Sequence, residues 1–140
     1  MAIKQYSLKK DGKTYLAPCF QVKEFACRAS DTILIDDELV VLLQCIREHF
    51  GAKVHITSGY RTAAHNRAVG GAVYSQHQYG RAADIRVSGV PVEQLAAETA
   101  KMLFSLISGK EEPCSKVYDG ELVVRESTKS RICLLYTSPS

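Results

Sequence analysis

The chain has 140 residues, 46% of them hydrophobic and 24% charged, with a net charge of +3. That length suits one domain with its own core, the composition is ordinary for a soluble globular protein, and the charge is too mild to point to nucleic acid. Positive charge gathers at the start, where Lys4, Lys9, Lys10, Lys13, Lys23 and Arg28 face only Asp11 and Glu24 within residues 1–30. Such an arm is usually a solvated face, but it could help hold an anionic polymer such as a bacterial cell wall.

In chain order, residues 1–19 read as an irregular basic arm, followed by a short strand or turn around Phe20 to Phe25. Asp36, Asp37 and Glu38 place acidic groups where a helix begins. Leu39, Leu42, Leu43, Ile46 and Phe50 continue that helix at 3.6-residue spacing, and Gly51 supplies the stop. Cys45 falls inside this apolar pattern and reads as a small core residue. Lys53 to Thr57 alternates like a strand and runs into Ser58-Gly59-Tyr60-Arg61-Thr62, where Thr62 can cap a short helix over Ala63 to Val69. Gly70-Gly71 closes that helix and opens a loop leading to His77. Ala82 to Val87 reads as a short buried strand. Pro91 suits a first helical turn, and Leu95, Ala96, Thr99, Met102, Leu103 and Leu106 extend an amphipathic helix that Gly109 ends.

This order predicts an α+β domain, a small sheet with helices packed on one side and the site at the strand ends. Residues 20–106 form the predicted domain. Residues 107–140 are atypical: periodicity weakens, YDGELVVRE offers one modest strand, and CLLYTSPS looks like read-through from a cloning or sequencing adapter and is set outside the fold. Five cysteines (Cys19, Cys27, Cys45, Cys114, Cys133), an odd number with no C-x-x-C pair, predict reduced structural thiols rather than a disulfide framework. No stretch approaches membrane-spanning length. The N-terminal MAIKQYSLKKDGKTY lacks the apolar region of a secretory signal, so synthesis in the cytoplasm is expected.

The segment that carries chemistry is Ser75-Gln-His77-Gln-Tyr-Gly80-Arg-Ala82-Ala-Asp84. Imidazole nitrogen and carboxylate oxygen are both zinc donors. Gly80 between them permits the sharp turn that lets residues seven apart face one ion. On spacing alone, a surface pair is the commoner outcome for such a histidine and aspartate.

The flanking residues decide the matter. Ser58-Gly59-Tyr60-Arg61-Thr62, His65-Asn66, Val69-Gly70-Gly71-Ala72 and Ser75-x-His77-x-x-Gly80-x-Ala82-x-Asp84-Ile85 resemble the zinc D-alanyl-D-alanine carboxypeptidase family, with its VanX dipeptidase and phage-endolysin L-alanyl-D-glutamate peptidase relatives. Val22 to Cys27 and the Ile35–Phe50 helix resemble that family's peptidase domain as well. The resemblance implies a Hedgehog/DD-peptidase-like fold, with a zinc ion held by His77 and Asp84. It implies Arg61 as the catalytic residue that contacts substrate and steadies charge on the scissile carbonyl, and Ser75 as a substrate-binding hydroxyl. The implied reaction is hydrolysis of a D-amino-acid-containing stem or cross-bridge peptide of peptidoglycan, by a monomer with no nucleic-acid or membrane partner. The missing signal leans toward phage-type release to the wall.

The family also supplies a third zinc ligand, a histidine near the C-terminus. Here the histidines are His49, His55, His65 and His77, and none follows Asp84. Cys114, Asp119 and Glu121 are substitutes that no spacing recommends, and His65 is a fallback ligand but reads better as structural. An incomplete active site with weak activity is therefore expected, and a non-catalytic module of the same fold that grips cell-wall peptides is the alternative. His49 near a helix end and His55 in a strand need no role beyond packing and solvation. Tyr60, Tyr74 and Tyr79 either line a peptide groove or simply pack.

Overall fold

A computed structural model describes residues 3–27, 30–71, 73, 75–108, 121–128 and 131–137, with side chains described as far as Met102. The elements in order are β1 (Ile3–Ser7), α1 (Leu8–Asp11), β2 (Tyr15–Ala17), β3 (Phe20–Gln21), a first 3₁₀ turn (Val22–Phe25), β4 (Thr32–Asp36), α2 (Asp37–Phe50), β5 (Val54–Ser58), α3 (Ala63–Ala68), a second 3₁₀ turn (Gln76–Tyr79), β6 (Ala82–Val87), α4 (Val92–Ser108), β7 (Glu121–Thr128) and β8 (Arg131–Thr137). The fold class is α+β, as the sequence predicts.

The principal sheet has four strands in the order β5-β6-β8-β7, every neighbouring pair antiparallel. Alternation along β6 explains how it is covered. Ala83, Ile85 and Val87 belong to one buried cluster with Leu39, Leu42, Leu43 and Ile46 of α2 and Val92, Leu95 and Met102 of α4. Both long helices therefore serve the same face of β6. Asp84 and Arg86 fall on the other face, because side chains alternate along a strand.

Helix α2 begins and ends for the reasons its sequence gives. The Asp36 carboxylate accepts the Glu38 N–H at 2.9 Å, and Gly51 closes the helix at φ 60° with its N–H on the Arg47 carbonyl. Thr62 caps α3 through the His65 N–H. Leu95 N–H bonds the Pro91 carbonyl at the start of α4. Gly109, expected to end α4, lies outside the described residues.

Three expectations are corrected. The supposed irregular arm holds β1, α1 and β2, and β1 pairs along its length with β4. Its exposed, mostly polar residues hid it: no residue of β1 is buried, whereas Ile33, Ile35 and Asp36 of β4 are. The C-terminal segment supplies two strands, and β8 lies directly between β6 and β7, with Cys133 in register with Asp84. An apolar run bounded by polar residues is a strand signature, and CLLYT is such a run. Finally, Cys45 is disulfide-bonded, while Cys19 and Cys27 are free; an odd count of cysteines never excluded one pair.

Asp36 ties β4 and α2 to the loop that carries the site. Its backbone N–H bonds the Gly80 carbonyl at 2.9 Å. Its second carboxylate oxygen has no hydrogen bond and sits 3.9 Å from the Arg81 Nε. Burial raises the Asp36 pKa, and the nearby Glu38 and Asp37 charges add to this against the Glu38 N–H and Arg81. A carboxyl with a raised folded-state pKa stabilises the fold fully below its unfolded pKa, and that contribution is lost as pH rises through the folded value. The stability advantage of wild type over Asp36→Asn, measured by urea unfolding, should accordingly be greatest in acid and shrink toward neutrality. A difference that grows with pH would show that Arg81 outweighs burial.

Candidate functional site

The site is assembled by two tight segments zipped to each other. The first is the turn Ser58–Arg61 at the end of β5; the second is the 3₁₀ turn Gln76–Tyr79. The Arg61 N–H bonds the His77 carbonyl at 3.0 Å, and the His77 Nδ1 lies 2.7 Å from the Gly59 carbonyl oxygen. A carbonyl can only accept, so Nδ1 carries a proton, and in the neutral ring that tautomer leaves the Nε2 lone pair toward Asp84. The far side of the first turn rests on Phe25: the Tyr60 N–H bonds the Phe25 carbonyl at 3.0 Å, and a Cβ on Gly59 would come within 2.9 Å of the Phe25 Cα. Glycine is required there by close approach.

The second turn is capped by Ser75, whose Oγ accepts the His77 N–H at 3.3 Å. It ends at Gly80, φ 73°, packed so tightly on β4 that a Cβ would collide with the Leu34 carbonyl. The chain then enters β6 and delivers Asp84.

Ser58 and Asp84 are register partners across β5 and β6, just past an irregularity at Ile56/Ser58. The Asp84 carboxylate divides its two oxygens. Oδ1 lies 3.5 Å from the His77 Nε2, and Oδ2 lies 3.4 Å from the Arg61 Nη2. His77 and Asp84 are 4% and 3% exposed, so this pairing sits in a medium that screens it little. Arg61 is held at three points, with Nε on the Ser58 Oγ at 3.1 Å, Nη1 on the Asn66 Oδ1 at 3.4 Å and Nη2 on Asp84. A guanidinium has five N–H donors, which leaves two for a ligand.

The structure thus brings Arg61, His77 and Asp84 together and places Ser75 as the cap beneath His77. An imidazole nitrogen and a carboxylate oxygen on facing elements could hold one cation. Among the described residues, no group of three or more His, Cys, Asp and Glu could do so. Cys114 and Asp119 lie outside the described residues, and Glu121 opens β7.

His65 uses its N–H on the Thr62 cap. His55 contacts the Ser88 Oγ at 2.9 Å on the surface, and desolvation, then Arg86 and Lys53, lower its pKa. His49 packs edge-on against Phe50. Tyr60 is half-buried with its pKa raised by burial, then by Cys27; Tyr79 is exposed, and Tyr74 lies outside the described residues.

Sequence reading assigned no role to Ser58, Asn66 or the Gly59 carbonyl. Asn66 gives no sequence signal of its part, because the near-complete burial of its side chain on α3 appears only in the fold. A Cβ on Gly71 would collide with its amide, so Gly71 leaves the room that lets Asn66 reach Arg61.

The family model for peptidase M15 matches residues 18–110. With more than half its length matched, the chain belongs to the peptidase M15 family. Among solved structures it is similar to the crystal structure of Serratia marcescens L-Ala D-Glu endopeptidase ChiX, at 16% identity and a TM-score of 0.48, covering 74% of this chain and 80% of that one. No curated protein matches it in sequence.

Gly80→Ala should cost about 1–3 kcal/mol from the left-handed backbone alone, with the Leu34 collision added, and should disturb His77. Denaturant unfolding together with the His77 NMR signal checks both effects. A variant of unchanged stability and unchanged His77 signal would contradict the packing described.

Proposed function

We propose that this domain is a zinc-dependent hydrolase of D-amino-acid-containing peptidoglycan peptides, in which His77 and Asp84 hold the metal and Arg61 serves the substrate. The observation that carries this reading is the fixed imidazole, whose Nδ1–H is spent on the Gly59 carbonyl while Nε2 meets the Asp84 Oδ1 at 3.5 Å. Two ligands of a tetrahedral zinc, each at about 2.0–2.1 Å, lie roughly 3.4 Å apart. The pair therefore fits two corners of such a site without rearrangement. A carbonyl that accepts the proton of the other ring nitrogen is the usual way a metal-binding histidine is oriented.

When bound, zinc supplies Lewis acidity for the scissile carbonyl and acidifies water. The protein's own share is positional. Arg61, clamped by Ser58, Asn66 and Asp84, keeps two N–H donors for a substrate carboxylate or for the carbonyl oxygen as it gains negative charge. Ser75 is committed as acceptor to the His77 N–H, but its hydroxyl proton remains available to a peptide carbonyl.

Two protein ligands are one short of a catalytic zinc centre, and no third stands beside them among the described residues. We therefore expect weak zinc retention and weak activity. That same observation supports a second reading, in which the fold grips wall peptides without cutting them.

Purified protein dialysed against zinc should bind up to one ion per chain, and His77→Ala or Asp84→Ala should each weaken binding about a hundredfold or more. Release of new amines from purified peptidoglycan should stop with a chelator and fall about 100-fold in Arg61→Ala. Zinc-independent sedimentation with walls and no released amine would favour the gripping module. Zinc binding that both ligand variants retain would overturn the site.

A further inference from the structure

Away from this site, Leu8, Lys9, Lys10, Gly12, Lys13 and Lys23 line a surface pocket of about 380 Å³. We propose that this pocket is an anchoring site for a linear polyanion of the cell wall. No carboxylate lines it, and the three nearest in sequence are held by backbone amides. Asp11 accepts the Ser7 N–H at 2.8 Å, Asp31 the Lys9 N–H at 2.8 Å, and Glu24 the Gln21 N–H at 2.7 Å. Asp31 also feels Lys9 and Lys10, though its lowered pKa stems first from the Ser7 hydroxyl. None of the four lysines forms an ion pair within 4.0 Å among the described residues, whereas Lys4 does, with Asp37 at 3.4 Å.

The walls of the pocket are fixed. Lys23 N–H bonds the Gly12 carbonyl at 2.9 Å and Gly12 N–H the Leu8 carbonyl at 3.1 Å, so the two lysine-bearing segments are tied across their backbone. Lysine ammonium groups act as point charges and read charge density, where arginine would read planar shape. The pocket contains no arginine and no aromatic ring on which a base could stack, which favours a simple polyanion over a nucleic acid.

Its position gives the anchor a purpose. Lys23 belongs to the first 3₁₀ turn, and Phe25, the last residue of that turn, carries the Ser58–Arg61 turn on its backbone. The Lys23 and Phe25 backbones are at most about 7 Å apart. A polymer held at the lysines would thus lie close to the turn bearing Arg61. The source of the polyanion as wall rests on the proposed function; the binding itself does not.

The test uses the whole chain and a Lys9→Gln/Lys10→Gln/Lys13→Gln/Lys23→Gln variant, with the thermal midpoint and zinc content of both recorded. Wild type should bind intact walls, polyglutamate and polyphosphate, weakening tenfold or more from about 50 to about 200 mM salt. The variant should lose at least about tenfold in affinity, yet keep its midpoint, its zinc and any cleavage of a short free peptide. Four Lys→Arg changes should restore binding. Walls stripped of phosphate polymers separate the sources, since retention there assigns the carboxylates and loss assigns the phosphates. If the glutamine variant binds walls as tightly as wild type, or duplex DNA binds more tightly than any wall polymer, the proposal fails. Failure of zinc binding with intact lysine-dependent wall retention would sink the hydrolase and leave the anchor standing.

Discussion

One carboxylate organises the site. Asp84 turns Oδ1 toward an imidazole and Oδ2 toward a guanidinium, at 3.5 and 3.4 Å, from a strand position that solvent hardly reaches. A buried carboxylate is tolerated only when it is paired and hydrogen-bonded. The fold provides that compensation from two directions, through the turn after β5 and the 3₁₀ turn before β6. Removing Arg61 would strand the buried Asp84 charge and removing Asp84 would release both His77 and Arg61, so the three residues act as one unit.

The scaffold is arranged to keep that unit still. Side chains on one face of β6 pack with α2 and α4, while Asp84 on the other face meets the site segments. Gly59 and Gly80 let those segments lie against the Phe25 and β4 backbones at distances a Cβ would forbid. Asp36 adds a bond from β4 to the Gly80 carbonyl at the end of the second turn. Rigid elements thus surround a group that must hold its orientation to work.

Much of this was legible in residue order. The spacing of Leu39, Leu42, Leu43 and Ile46, the Asp36 and Thr62 caps and the stop at Gly51 identify α2 and α3 because helical period and cap chemistry are local. His77, Asp84 and Arg61 stood out by pattern and do converge. β1 was hidden because an exposed edge strand need not alternate clearly. β8 was hidden because its apolar run lies in a stretch of weak periodicity, and only strand pairing places it beside Asp84. The parts played by Ser58, Asn66 and the Gly59 carbonyl depend on register and on a ring nitrogen's neighbour, and neither is written in one dimension. Membership of the peptidase M15 family agrees with the residue pattern from Ser58 to Asp84.

The most direct test is the protonation pattern of one ring, read by nitrogen-15 NMR of His77 before and after one equivalent of zinc. The expected result is a proton that stays on Nδ1 throughout and a zinc-dependent shift that is largest at Nε2. A ring that lacks the proton on Nδ1, or one whose nitrogen signals ignore the metal, would contradict it.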